Sequence, residues 1–205
     1  VSILGDGLVK AEASDGVDNE ANVNITGRNV AVIGEWEIGF NAAKVKAEAH
    51  DGVNNTAGVT ITADGVEGNG NVVVEAQGWH DDALISAKAQ DGTNNTATVD
   101  IDANGDVKVT AKGEAAAIRA LANNDIEFHY DGREEPFIAQ DLVNTANVDI
   151  SGTNVEVKAE DHQKATIEAV AENEITILAN EGYQAYLEVI LQRLENNATV
   201  TINAT

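Results

Sequence analysis

Residues 19–25 read NEANVNI, and the same seven-residue motif recurs four more times along the chain. The copies are NTAGVTI at 55–61, NTATVDI at 95–101, NTANVDI at 144–150 and NNATVTI at 196–202. All five place Asn, Ala, Val and Ile at the first, third, fifth and seventh positions. Apolar residues at every second position are typical of a strand with one buried face. The motif therefore predicts one strand in each of five repeats.

Two further alternating segments accompany each motif. After the first copy they are NVAVIG at 29–34 and KVKAEA at 44–49, and the opening of the chain supplies VSILGD at 1–6 and LVKAEA at 8–13. Gly, Asn and Asp separate the segments, as tight turns require. Three short strands per repeat predict one coil of a three-sided β-solenoid, in which stacked coils bury together what one coil cannot bury alone. We therefore expect an all-β fold of about five coils, with residues 1–205 as a single domain.

Small residues fill the third strand of every predicted coil. Alanine occurs twice in each one, as Ala11 and Ala13, Ala47 and Ala49, Ala87 and Ala89, Ala120 and Ala122, and Ala169 and Ala171. Alternating alanines predict a narrow interior on this side, with little room for an aromatic ring.

The first residue of the motif predicts a ladder of stacked amides. It is asparagine in all five copies: Asn19, Asn55, Asn95, Asn144 and Asn196. Asparagine tolerates the left-handed conformation that a corner needs, and stacked amides hydrogen-bond along the axis of a pile of strands. We interpret this asparagine ladder as a structural feature.

The segments ANVNITG, NVAV and KVKAEA resemble the repeats of filamentous-haemagglutinin-type bacterial adhesins and related secreted β-solenoids. The resemblance extends over nearly the whole chain. It implies a right-handed parallel β-helix and a surface or extracellular role. It assigns no function to individual residues.

Insertions separate the repeats unevenly. Successive motif alanines are 36, 40, 49 and 52 residues apart, which predicts surface insertions at 34–43, 63–71, 126–142 and 178–195. Within the last insertion, Leu187, Ile190, Leu191 and Leu194 have helical spacing, which predicts a short amphipathic α-helix over about 182–195. All eight aromatic residues fall in the insertions or at their edges. We expect them either to seal the insertions onto their own coil or to form lateral contacts between fibres.

Composition excludes several classes of partner. The chain has 12 basic and 35 acidic residues, a net charge of −23, which disfavours nucleic acid because both are polyanions. The sequence contains no run of eighteen apolar residues, so it predicts no membrane-spanning helix. Cysteine and methionine are absent, and this absence, with the resemblance, favours an extracellular or cell-surface location.

One stretch is similar to half of a calcium-binding loop. Asp100, Asp102 and Asn104, followed by Gly105, match the spacing D-x-D-x-N-G. The twelfth position is Ala111, where such a loop has a bidentate Glu. Calcium at these three residues is therefore an incomplete candidate, and we predict no other cofactor.

Five asparagines are followed by Thr two positions later. They are Asn24, Asn54, Asn94, Asn197 and Asn203. In a secreted chain this triplet is the acceptor for N-linked glycans. Asparagine-rich corners also produce it by chance, so both interpretations stay open.

We expect no enzyme activity. Parallel β-helices include enzymes that cleave polysaccharides, but the acidic residues here are scattered over the chain and form no distinct catalytic group. The stretch from Trp79 to Asp82 offers an aromatic ring and two carboxylates to a sugar, although a turn is the simpler interpretation. A polysaccharide-binding or polysaccharide-cleaving protein remains the third hypothesis.

The two termini suggest the leading hypothesis. Residues 198–205 and 1–20 have together the length of one minimal coil, which predicts a coil split between the end of one chain and the start of another. An end-to-end contact that does not close generates an open fibre. We therefore expect a structural subunit of an extracellular filament that binds other copies of itself through Val1, Ile3, Val9, Ala11, Val200, Ile202 and Thr205. The alternative is a segment of a longer adhesin shaft.

Overall fold

A computed structural model of the protein describes residues 1–5, 7–35, 42–66, 69–130, 137–139, 142–160, 163–179, 189–191 and 194–204. For 126–130, 137–139, 175–179 and 189–191 the description is of the backbone only. Thr205 lies outside these ranges, as do Trp36, Phe40, Tyr183 and Tyr186.

The described chain is built of seventeen strands. Numbered along the chain, they are β1 (Ser2–Gly5), β2 (Leu8–Ser14), β3 (Asp18–Gly27), β4 (Val30–Gly34), β5 (Ala43–His50), β6 (Asn54–Ala63), β7 (Val72–Ala76), β8 (Ala83–Gln90), β9 (Asn94–Ala103), β10 (Val107–Ala111), β11 (Ala116–Tyr130), β12 (Phe137–Ala139), β13 (Leu142–Gly152), β14 (Val155–Ala159), β15 (Ala165–Ala179), β16 (Val189–Leu191) and β17 (Leu194–Ala204).

Fifteen of these strands form three parallel sheets of five strands each. Face A has the order β1-β4-β7-β10-β14, face B the order β2-β5-β8-β11-β15, and face C the order β3-β6-β9-β13-β17. The chain visits A, B and C in turn five times, so each strand of the middle three coils pairs with its equivalents one coil below and one coil above. The protein is a three-sided parallel β-helix, as the repeats predict, and its right-handed sense stays a prediction. Over the described ranges no helix is long and apolar enough to cross a membrane.

The core consists of columns of identical or similar side chains. The pairing register aligns the motif residues Ala, Val and Ile of face C from coil to coil, and it aligns the alanine pairs of face B in the same way. Ile101, Ile118 and Val74 are at most 1% exposed, as are the motif alanines of face C and the alanine pairs of face B in the middle coils. Burying one such Ile or Val side chain stabilises a fold by about 1.5–3 kcal/mol. The small alanines of face B leave room in the shared core for larger side chains such as Val74 of face A and Ile101 of face C.

The corner between faces B and C has two forms. In the first three coils it is an Asp-Gly pair whose Asp has a left-handed backbone, with φ of 62° at Asp15 and 58° at Asp51 and Asp91. In the last two coils β11 and β15 continue straight through this position and stay paired over 15 residues each. The long insertions of these two coils therefore begin as extensions of face B.

The left-handed corner gives a direct test of the backbone. Asp91→Val is expected to lower the free energy of unfolding by about 1–2 kcal/mol, because a β-branched side chain clashes with the backbone at positive φ. Urea unfolding measures the change. Asp91→Gly is the matched control and is expected to be at least as stable as the native protein, since glycine adopts this φ freely. A Val variant as stable as the native protein would contradict the left-handed corner.

The structure corrects the predicted helix over 182–195. Val189–Leu191 is strand β16, which pairs with β12, and strand β17 begins at Leu194. Residues 182–188 and 192–193 lie outside the described residues. The helical spacing was a misleading signal because Val189 and Leu191 also fit the period of two that is typical of a strand. In addition, β12 in the coil below offers β16 a row of backbone hydrogen-bond partners. The insertions 126–142 and 178–195 thus pair with each other through β12 and β16 and through the extended β11 and β15.

Candidate functional site: the two ends of the coil stack

Six strands of the three main faces pair on one side only within the described part of the chain. At the N-terminal end of the stack they are β1, β2 and β3, and at the C-terminal end they are β14, β15 and β17. Each presents a row of backbone N–H and C=O groups, which is a template for pairing with another strand. We call these two surfaces the N-end and the C-end.

Apolar side chains of the core columns are exposed at the C-end. Val200 is 43% exposed and Ile202 is 46% exposed, whereas Val99 and Ile101, in the same two columns two coils below, are 0% and 1% exposed. The difference arises because a solenoid side chain is covered by the coil above it as well as the one below. Within the described ranges, the C-end has no coil above it of the kind that buries the rest of each column.

The N-end shows the same feature more weakly. Val1 is 54% exposed, and Ile3, Val9 and Ala11 pack against the core while staying only partly buried. The residues that the sequence predicts for a subunit contact thus lie at the two opposite ends of the stack, except Thr205, which is outside the described residues. Whether they contact another copy stays a prediction.

The five motif asparagines lie in one column and bond each to the next. Nδ2 of the lower amide donates to Oδ1 of the amide one coil above, at 3.1 Å from Asn19 to Asn55, 3.0 Å from Asn55 to Asn95, 3.0 Å from Asn95 to Asn144, and 3.3 Å from Asn144 to Asn196. The four lower side chains are at most 6% exposed. Buried amides of this kind must be hydrogen-bonded, and here each one finds its partner in a neighbouring coil.

The amides of the ladder also bond to the backbone at the corner of the next coil. Asn19 Nδ2 donates to the carbonyl oxygen of His50 at 2.7 Å, and Asn55 Nδ2 donates in the same way to Gln90 at 2.7 Å. These carbonyls end the face B strand one coil above. The asparagine column consequently fixes the distance and the register between coils at this corner.

A second asparagine column joins the ladder in the last two coils. Asn124 is 1% exposed, and its Nδ2 donates to Asn173 Oδ1 at 3.0 Å. Asn95 donates to Asn124 at 2.7 Å, and Asn173 donates to Asn196 at 2.8 Å. The seven-residue motif does not predict these two residues, because they lie outside it. Their signal is visible on alignment of the coils, because Asn124 and Asn173 stand where the first three coils have the Asp of Asp-Gly.

The ladder has a direction. Every amide donates toward the C-end and accepts from the N-end side, so the column ends in an exposed side chain at Asn196. Asn19 begins it, and its Oδ1 accepts the N–H of Gly16 at 2.9 Å. A carbonyl oxygen has two lone pairs, so this oxygen has capacity for a further donor. The N-end and the C-end are therefore chemically opposite.

The calcium candidates lie on the outer side of face C and in the turn that follows. Asp100 and Asp102 are residues of β9, and Asn104 donates from Nδ2 to the carbonyl oxygen of Gly65 at 3.2 Å. Asp149 is the register partner of Asp100 in the next coil. Partial burial, and then the nearby charges of Asp149 and Asp102, raise the pKa of Asp100. Among the side chains described, no group of three His, Cys, Asp or Glu is arranged to hold a metal ion; calcium here stays a prediction.

The five glycosylation candidates all lie on face C. Asn54 is partly buried, and the other four, Asn24, Asn94, Asn197 and Asn203, are exposed. Asn54 Nδ2 donates to Asp18 at 2.6 Å, and Asn94 Nδ2 donates to Asn54 at 2.8 Å, which makes a short outer ladder. A glycan on this face would project sideways and leave both ends of the stack open. Glycosylation stays a prediction.

Face B carries a cluster of ion pairs near the N-end. Lys10 Nζ lies 2.9 Å from Glu12 and 2.7 Å from Glu48, and Lys46 also pairs with Glu48. Burial alone raises the pKa of Glu48, but the hydrogen bonds from the two lysines outweigh it and lower the pKa to about 2. This cluster neutralises charge locally and offers no catalytic acid.

The two carboxylates of the candidate sugar contact, Asp81 and Asp82, are either buried or bonded to other parts of the protein. Trp79 is 64% exposed in the turn between β7 and β8, but Asp81 is only 3% exposed. Asp82 pairs with Lys44 at 3.3 Å and accepts the N–H of Ala115 at 3.1 Å. These contacts favour the simpler interpretation as a turn.

Comparison of the chain with protein-family models, curated proteins and solved structures finds no match. The resemblance to haemagglutinin-type repeats therefore stays a prediction.

Proposed function

We propose that the protein is a structural subunit of an extracellular filament, in which the coils of one subunit stack on the coils of the next. The proposal rests on the structure of the N-end and the C-end. Among the described residues, both ends present strand edges without a partner on all three faces, and the core columns reach both ends. Solenoids that stay monomeric cover such ends with a polar cap. Here Val200 and Ile202 are half-exposed instead.

Stacking a further coil on an end gains two kinds of interaction at once. It pairs the edge N–H and C=O groups of three strands, and it buries apolar columns at about 25 cal/mol per Å². Because the two ends are opposite sides of the same stack, the contact does not close on itself and produces an open fibre. The joint would then have the same coil-on-coil stacking that is found inside each subunit.

Electron microscopy of the purified protein at high concentration tests the proposal. Five coils at a strand spacing of about 4.8 Å give an expected axial rise of about 24 Å per subunit. A continuous fibre with this rise supports the proposal. A chain that stays monomeric at millimolar concentration, or a fibre with an unrelated rise, rules it out.

We expect assembly to strengthen with salt. Each subunit has a net charge of −23, so two subunits repel each other, and raising NaCl from about 0.01 M to about 0.3 M shortens the screening length several-fold. The concentration at which fibres first sediment is expected to fall at least about threefold. Calcium chloride at equal ionic strength is the control for a specific divalent ion on face C. Assembly that weakens with salt would indicate a joint held mainly by ion pairs.

A segment of a longer adhesin shaft is the second candidate. The same open edges favour it, because further coils of one polypeptide would cover both ends equally well. The intact mass of the protein from its native source separates the two: a mass near 21.5 kDa favours the subunit, and a much larger one favours the shaft.

A further inference from the structure

We infer that the joint has one polarity and one register: the C-end of one copy binds the N-end of a second copy, with β14 on β1, β15 on β2 and β17 on β3, in parallel. The inference rests on the proposed function and specifies its partner and geometry. In this joint Asn196 Nδ2 of one copy donates to Asn19 Oδ1 of the other.

The direction of the asparagine ladder supports this polarity. Within the chain, each Nδ2 donates to the Oδ1 one coil closer to the C-end. A joint between two C-ends would bring two Asn196 side chains together with the Nδ2 donor of each directed at the other and no Oδ1 acceptor between them. A joint between the C-end and the N-end continues the donor-to-acceptor order, and Asn196 takes the place that Asn144 has in the coil below.

The unequal lengths of the faces also disfavour a two-fold joint. At the C-end, face A contributes the five residues of β14, whereas face B contributes the 15 residues of β15. Turning one copy over to join two C-ends superposes face C on face C, but it sets face A against face B. The five residues of β14 would then pair with at most five of β15, whereas β2 of the N-end offers seven residues to β15, opposite 166–172. The joint of unlike ends therefore leaves fewer N–H and C=O groups of face B unpaired.

The columns set the register. Following the pairing through the stack, Val157 is in the column of Ile3, Ile167 in that of Val9, and Ala169 in that of Ala11. In-register stacking sets each of these apolar residues on an apolar residue of similar size. A shift by one residue turns every inward side chain outward, so the register is strongly specified.

An outward column adds a charge pair. Glu168 and Lys10 belong to one column of face B, and they stand at opposite ends of it. In the joint they become neighbours about one strand spacing apart, about 4.8 Å between backbones. Opposite charges at this position favour the contact of unlike ends.

Disulfide trapping tests polarity and register together. The chain has no cysteine, so introduced thiols are unique. Thr199 on β17 and Asn22 on β3 are both exposed and share an outward column. In an in-register joint their Cα atoms are about 4.8 Å apart, within the range that a disulfide spans. The double variant Asn22→Cys with Thr199→Cys is expected to form reducible covalent dimers, trimers and longer species after mild oxidation of its fibres.

Three variants provide the controls. Thr199→Cys alone and Asn22→Cys alone are expected to give no covalent dimer, because like ends do not meet. Asn22→Cys with Thr201→Cys moves one thiol two residues along β17, which separates the Cα atoms by about 8 Å, beyond disulfide reach. Circular dichroism and urea unfolding establish that all variants fold as the native protein does.

Each outcome bears on the inference. Efficient dimers of Thr199→Cys alone would establish contact between C-ends and overturn the polarity, while the filament proposal survives. Fibres that cross-link only in the shifted pair, or in none, overturn the register. A double variant that sediments as a monomer under all conditions overturns the proposed function and the inference together.

Discussion

Asn95→Ala is expected to lower the free energy of unfolding by about 3 kcal/mol, which for a chain of this size corresponds to a melting temperature about 6–12 °C lower. Asn95 is 1% exposed, and its amide receives a bond from Asn55 and donates to Asn124 and Asn144. Alanine removes these bonds, together with those that Nδ2 donates to the carbonyl oxygens of Gly92 and Asn123, and gives the former partners no access to water. Each buried polar atom that loses its partner costs about 1–3 kcal/mol.

The adjacent residue provides a matched control. Asn94 has the same side chain, but it points outward on face C and is exposed, with a bond to Asn54 at 2.8 Å. Asn94→Ala is expected to change stability by less than about 1 kcal/mol. Urea denaturation of the two variants beside the native protein measures the difference. Equal destabilisation by the two substitutions would show that the buried ladder has no special role.

Much of the fold follows from the sequence because a solenoid repeats its chemistry. Ala97, Val99 and Ile101 recur at the same positions of each motif, and the structure pairs them in the register that the motif indicates. A column of this kind depends only on local alternation and on a neighbour of the same pattern. Both are visible in one sequence.

The parts that the sequence did not predict depend on contacts between adjacent coils, whose residues are far apart in the sequence. Asp149 becomes a neighbour of Asp100 only through the pairing of β9 with β13. Val189–Leu191 is a strand because Phe137–Ala139 offers it a backbone partner, whereas the local spacing also fits a helix. Asn124 and Asn173 join the ladder because β11 and β15 pass straight through a corner that three other coils turn with Asp-Gly. In each case the deciding partner lies about one coil away.

The two ends acquire their character in the same way. Val200 has the same sequence surroundings as Val99, but its burial differs because it has no described coil above it. Exposure at the C-end is thus a property of position in the stack and not of residue type. It follows that a change at this end affects assembly far more than folding, and that the equivalent change inside the stack affects folding first.

Ile202→Lys is expected to weaken assembly at least about 100-fold. In the stacked joint this side chain enters the core column of the next copy, and an unpaired charge buried there costs about 3–5 kcal/mol. The isolated subunit is expected to keep its stability within about 1 kcal/mol, because Ile202 is already 46% exposed. The sedimenting fraction as a function of concentration measures assembly, and urea unfolding of the dilute protein measures stability.

Thr201→Lys separates the effect of position from that of charge. Thr201 is the preceding residue of β17 and lies in an outward column of face C, so its lysine adds the same charge but remains in water after stacking. We expect fibres of this variant to form at a concentration within a few-fold of the native one, and to gain slightly from the reduced negative charge. If both lysines block assembly equally, the joint does not bury the Ile202 column. If neither does, the C-end is not the surface through which the subunits stack.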